Sequence, residues 1–224
     1  MERVIRTSGA TGIIDLCSGR SGPILPLETE LRRLGTSIPV VLTDKYPDAG
    51  VISLFAQSAH PGVTWLPESI DAMHVPAGLS GLRTLFNSFH HFRPDQARAI
   101  LADAWRNRQP IAIFEITQRK PWRVVTSFPA SFFGVFLLIF LMRPKRPLWW
   151  LGTWIIPIIP LVVGWDGLVS HLRSYTPREL MAMTAAMNGE GYRWETGTLK
   201  APRAGVVTAY LIGTPVGEPL LPLQ

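Results

Sequence analysis

Two stretches decide what this chain can fold into. Residues 124–142 carry no charge over nineteen positions, and residues 148–165 carry none over eighteen. At about 1.5 Å per helical residue each reaches about 27–29 Å, close to the hydrocarbon thickness of a bilayer. Between them lies the basic knot Arg143-Pro144-Lys145-Arg146-Pro147. No acidic residue occurs between Glu115 and Asp166, whereas Arg119, Lys120, Arg123, Arg143, Lys145 and Arg146 do. These six cations equal the whole chain's net charge of +6. A sheet domain of this size, with helices already covering it, could not bury both runs. Prolines 129, 157 and 160 would kink the helices, which membranes tolerate, and Trp149, Trp150, Trp154 and Trp165 suit the interfacial belt. Residues 119–165 are therefore expected to form a membrane-associated helical hairpin in contact with lipids. A spanning pair and a shallow hairpin in one leaflet both fit.

Other features narrow the class. Cations flanking apolar runs suit an anionic lipid surface, and no recognition motif points to nucleic acid. The single Cys17 excludes an intrachain disulfide framework and any multi-cysteine metal site. The opening MERVIRTSGATG has no apolar h-region, so no secretory signal is expected and the sheet domain belongs on the cytoplasmic side.

Around the hairpin, short apolar strands alternate with helices. Strands are expected at 12–17, 39–44, 63–67, 82–87 and 110–117, with helices at 26–35 and 93–108. In the second helix Ala97, Ile100, Leu101, Ala104 and Trp105 recur at helical spacing, and Pro94 sits in the first turn. After the hairpin, a helix begun by Thr176-Pro177 and stopped at Gly189 or Gly191 precedes strands at 192–197 and 205–213. The pattern predicts an α/β fold, a doubly wound, mostly parallel sheet with a terminal antiparallel β-hairpin. Residues 1–118 and 166–224 would build it.

The strongest local signal is IIDLCSGRSGP, a strand, a tight glycine turn and a helix start. Gly19 and Gly22 would let backbone amides approach a ligand closely. Asp44 closes the second strand, where a carboxylate can accept both hydroxyls of a ribose. The dinucleotide fingerprint is absent, since Cys17 stands at the place of its first glycine. Asp15 would repel a pyrophosphate but could hold an amine.

The run Asp15-Leu-Cys-Ser-Gly19-Arg-Ser-Gly22, Asp44, ESIDAMHVP and LFNSFHHF together resemble a class I S-adenosylmethionine-dependent methyltransferase, over residues 12–117 and 174–213. The resemblance implies S-adenosylmethionine as cofactor. Gly19 and the 17–22 backbone, Cys17 and Gly22 included, would bracket its methionine part and ribose. Asp15 would sit by the ammonium, Asp44 on the ribose hydroxyls, Asp71 near the adenine amino group, and Asn87 beside the methyl group. The departure is Cys17 in place of the usual first glycine.

Methyl transfer from a sulfonium needs alignment and desolvation, and a base only if the acceptor must lose a proton. The candidates lie at the carboxyl ends of strands: Asn87, His90 and His91 after strand four, and Glu115 near the end of strand five. No metal is expected, because two adjacent histidines cannot easily face one ion. The polar stretch 165–177 could line an acceptor pocket, satisfy helix ends or meet lipid headgroups. The chain is thus expected to be a membrane-associated methyltransferase acting on a lipophilic small molecule. A non-catalytic cofactor-fold membrane anchor or assembly protein is the alternative, and the oligomeric state is left open.

Overall fold

A computed structural model describes residues 1–57, 60–142, 145–187, 191–200 and 207–216. Arg143 of the basic knot and Gly189 lie outside the described residues. The chain divides into two compact units, Met1–Ile116 with Pro177–Gln224, and Thr117–Thr176.

The first unit is built on a seven-stranded sheet. In chain order its elements are α1 (Glu2–Ser8), β1 (Ile13–Asp15), α2 (Ile24–Arg33), β2 (Val40–Asp44), α3 (Ala49–Ala56), β3 (Val63–Ser69), β4 (Leu82–Phe86), α4 (Pro94–Arg106) and β5 (Ile111–Glu115). The second unit interrupts it before α8 (Pro177–Thr184), β6 (Tyr192–Lys200) and β7 (Val207–Pro215). The strand order is β3-β2-β1-β4-β5-β7-β6. The first five strands are parallel, β7 runs antiparallel to β5, and β6 antiparallel to β7. Strands covered on both faces read as unbroken apolar runs, and Ile13, Ile14, Leu82, Leu85 and Ile111 are all fully buried. The order reverses between β1 and β4, which opens a crevice at the carboxyl ends of these strands.

The helices follow their sequence signals. In α4 the buried stripe is Ala97, Ile100, Leu101 and Ala104, with Pro94 in the first turn as expected. Beneath it the buried Arg83 of β4 donates to Asp103 of α4 at 2.6 Å. The short α1 is tied to β6 by a forked bond from Arg3 to Glu195, at 3.0 and 2.7 Å. Helix α3 was not expected from the sequence. Asp48 caps it, accepting from the backbone N–H groups of Gly50 at 2.7 Å and Val51 at 3.1 Å.

The second unit consists of α5 (Pro121–Leu138) and a bent second arm. That arm runs from α6 (Pro147–Trp150) through a π-helical turn, Leu151–Ile155, into α7 (Ile158–Arg173), with a bend of 76° at the break. The three prolines differ in effect: α5 passes through Pro129 unbroken, Pro157 marks the bend, and Pro160 lies in the first turn of α7. The arms pack through edge contacts of Phe136 with Trp154 and Phe140 with Trp150, each at 5.0 Å between ring centres. Lower down, Gly167 lets α7 approach α5 so closely that a Cβ there would lie 2.5 Å from Ser131 Oγ. Large apolar side chains remain exposed on both arms, Leu137 at 74% and Leu148 at 77% among them. Helix α5, and the bent arm taken as one span, are long and apolar enough to cross a membrane. The compact unit is wider than the 119–165 expected: α7 continues to Arg173, so the polar stretch after Trp165 is mostly the end of the second arm.

Candidate functional site

Beyond Asp15 the chain turns sharply at the mouth of the crevice. Cys17 (φ +58°), Gly19 (+53°), Ser21 (+68°) and Gly22 (+35°) all adopt left-handed backbone conformations. For a residue bearing a Cβ this costs roughly 1–2 kcal/mol. The departure from glycine at position 17 is therefore a departure in residue only, since Cys17 takes the conformation a glycine would supply. A Cβ on Gly19 or Gly22 would meet nothing within 4 Å, so open space lies over the turn.

Two side chains hold the turn in place. Ser18 Oγ donates to Asp15 Oδ2 at 2.7 Å and accepts from Thr43 N at 3.2 Å, joining the ends of β1 and β2. Asp44 Oδ2 accepts from Gly19 N at 3.0 Å, while its Oδ1 accepts from Tyr46 N at 2.9 Å. Asp15 is buried, and its second oxygen accepts from Thr84 Oγ1 at 2.7 Å. Burial pushes its carboxyl up to about 7, with nearby Asp44 adding to the rise against the hydroxyl bonds. Asp71 accepts from Lys45 Nζ at 2.7 Å and from Met73 N at 2.9 Å. Burial raises its carboxyl, but these bonds outweigh that and hold it below its ordinary value.

The field at the turn is negative. Burial pushes the Cys17 thiol up to about 12, and Asp44, Asp15 and Asp71 all act in the same direction. Asp44, with Asp15 as it ionises, favours a cationic ligand at the glycine turn and opposes a pyrophosphate, while Asp71 is offset by its Lys45 partner. The open, negatively charged turn fits a cofactor that carries a sulfonium and an ammonium.

The candidates after β4 separate. Asn87 adopts a left-handed conformation (φ +51°), and its Oδ1 accepts from Ile116 N at 3.2 Å, linking the ends of β4 and β5. The 3-10 turn Phe89–His91 then leaves the two histidines in ring contact but with different burial. His90 is 2% exposed, with Nδ1 2.6 Å from Glu115 Oε2 and Nε2 buried without a partner. Enclosed in this way, His90 has no open path to an acceptor's proton, which tells against it, though not against the exposed His91, as the base expected at the mouth of the site. Glu115 is likewise enclosed, its Oε1 accepting from Phe89 N at 2.7 Å. His91 is exposed, its ring centre 4.3 Å from that of His90. Among the described residues no group of three His, Cys, Asp or Glu is placed to hold a metal.

A cavity of about 340 Å³ opens beside Asn87. Phe86 and Phe114 lie opposite each other in β4 and β5, with rings stacked 5.4 Å apart, and both line it. Leu27 of α2, Ile116 and Leu199 extend the apolar wall. Pro23, next to Gly22 in the chain, connects this wall to the glycine turn. Sequence reasoning named Asn87 here but missed the phenylalanines, which come together only through the register of β4 against β5.

No protein-family model matches the sequence, and no curated protein matches it in sequence. Solved structures do match in fold. LepI in complex with S-adenosylmethionine superposes with a TM-score of 0.55 at 14% identity, over 95% of this chain and 46% of that one. Human N-acetylserotonin methyltransferase in complex with S-adenosylmethionine gives 0.51 at 13%, over 95% and 51%. A pericyclic reaction enzyme gives 0.54 at 13%, over 92% and 43%. The chain spans about half the length of each of these proteins. In strand order, in the turn after β1 and in these likenesses, the first unit has the class I S-adenosylmethionine-dependent methyltransferase fold.

Proposed function

We propose that the chain is an S-adenosylmethionine-dependent methyltransferase whose acceptor is a lipophilic small molecule met at a membrane. One observation carries the reading: an apolar cavity adjoins a glycine turn whose field favours a cation. Gly19 and Gly22 would bracket the cofactor, Asp44 would take the ribose hydroxyls, and the buried Asp15, its oxygens engaged by Ser18 and Thr84, would favour the ammonium through its charge and through the turn it holds. The cofactor, when bound, supplies a methyl group on a sulfonium that an acceptor's nucleophile displaces in line. The chain's own part is alignment and exclusion of water. Phe86 and Phe114 would seat the acceptor, and the Asn87 amide, whose Oδ1 is already engaged by Ile116 N, has its N–H groups left to orient it.

Membrane contact is supported by the exposed apolar side chains of α5 and the bent arm and by the cations at their ends. In the chain α5 is the next element after β5, following five intervening residues, and Phe114 of β5 and the following Ile116 line the cavity. A lipophile dissolved in the bilayer suits both features.

Calorimetric titration of S-adenosylmethionine and of its demethylated product tests the first half, with Asp44→Asn as the control. Binding that weakens about tenfold in the variant is expected, as for the loss of a charge-assisted hydrogen bond. No binding to the wild type favours the alternative, a non-catalytic membrane anchor or assembly protein. The same fold in a pericyclic reaction enzyme means that the fold alone does not fix the chemistry. Transfer of a labelled methyl group into extracted membrane lipids tests the second half, and incorporation only into water-soluble acceptors would overturn it.

A further inference from the structure

The hairpin unit interrupts its apolar surface with a polar hollow of about 210 Å³ near the start of α5. Trp122, Arg123, Thr126 and Ser131 line it from α5, and His171 from α7. Among the described residues no acid lines the hollow with Arg123. Its guanidinium lies 5.0 Å from the centre of the Trp122 ring, and its Nε is buried without a hydrogen-bond partner. A buried donor left unpaired costs roughly 1–3 kcal/mol, so the position favours an acceptor from outside the chain. The backbone of Gln118 occupies His171 Nδ1, with its N at 3.1 Å and its O at 2.9 Å, which leaves Nε2 for a ligand. Ser131 and Arg123 line the same small volume, so a hydroxyl and a guanidinium fork are available beside His171.

We propose that this hollow holds a phosphate group, presented by the headgroup of an anionic phospholipid. The fork matches two phosphate oxygens at once, and of the lining hydroxyls Ser131 can donate to a third, since those of Thr126 and Ser127 already donate to the Trp122 and Val124 carbonyls. Trp122 is 60% exposed and the nearby Val125 is 73% exposed, so acyl chains attached to the phosphate would continue onto apolar surface. The site is separate from the glycine turn and the cavity beside Asn87, and its occupancy does not depend on methyl transfer.

The test uses the full chain in nonionic detergent, titrated by calorimetry with dihexanoyl phosphatidic acid and, separately, with inorganic phosphate. Saturable binding of the phosphatidic acid is expected, weakened about tenfold or more in Arg123→Gln. Lys120→Gln removes a neighbouring cation that does not line the hollow and should weaken binding less than about twofold. Arg123→Lys keeps the charge without the fork and should fall between, which covers the case in which Arg123→Gln does not fold. Inorganic phosphate binding as tightly as the lipid would overturn the headgroup as its source. Absence of saturable binding, or equal losses in Arg123→Gln and Lys120→Gln, would overturn the site itself.

Discussion

His90 Nδ1 and Glu115 Oε2 lie 2.6 Å apart, fastening the turn after β4 to the last residue of β5. The other carboxylate oxygen accepts from Phe89 N at 2.7 Å. Glu115→Ala therefore strips two buried groups of their partner at once. A loss of about 3 kcal/mol is expected, with Glu115→Gln recovering about half. Thermal unfolding of the full chain reads this, and a loss below about 1 kcal/mol would mean that the turn is held by other contacts.

Asp15 links the glycine turn to pH. Its folded value of about 7 lies above the ordinary 3.8, so the folded chain keeps a proton that the unfolded chain has lost. The stability tied to this group is fully present below a pH of about 4, declines as pH rises, and is gone above about 7. Its size is on the order of 4 kcal/mol. Asp15→Asn should flatten this decline, which melting temperatures at pH 5 and 8 would reveal. A cationic ligand favours the ionised carboxyl, so its affinity should rise over the same window in the wild type alone. Identical pH profiles for the two proteins would remove Asp15 from the account.

Cys17 combines a left-handed backbone with a thiol pushed up to about 12. Alkylation by iodoacetamide at pH 8 should run at least about a hundredfold slower than for an exposed cysteine, because so little thiolate is present. Cys17→Gly should leave stability within about 0.5 kcal/mol, whereas the branched Cys17→Val should cost about 2 kcal/mol. Equal melting temperatures for the two variants would contradict the strain assigned to this position.

In the hairpin, Gly167 and Ser131 set the distance between α5 and α7. Gly167→Ala forces a methyl group against Ser131 Oγ and should cost about 1–2 kcal/mol. Adding Ser131→Ala removes that oxygen and should restore more than half of the loss. A double-mutant cycle on thermal unfolding checks it, and strictly additive losses would place the strain elsewhere.

The sheet could be read from the sequence because each strand is a short apolar run bounded by Gly, Pro or Asp. The glycine turn and Asp44 were visible for the same reason, being fixed by local spacing. Helix α3 was not: Val51, Ile52 and Phe55 pack against the core only partly buried, and most other positions in this short helix are apolar too, so no polar face sets the stripe off. His90 and His91 looked equivalent as neighbours. A 3-10 turn rotates successive residues by about a third of a circle, so one ring goes into the core and the other to solvent. The cavity and the Lys45–Asp71 pair depend on register between distant strands, which no local pattern specifies.

The last described strand of the chain is an inner strand of the sheet. Strand β7 is inserted between β5 and β6, although the whole hairpin unit separates it from β5 in the chain. During synthesis the hairpin therefore emerges while β5 still presents an unpaired edge. The greasy segment has to find its surroundings before the sheet can be closed, so the order of translation puts placement of the hairpin ahead of completion of the fold.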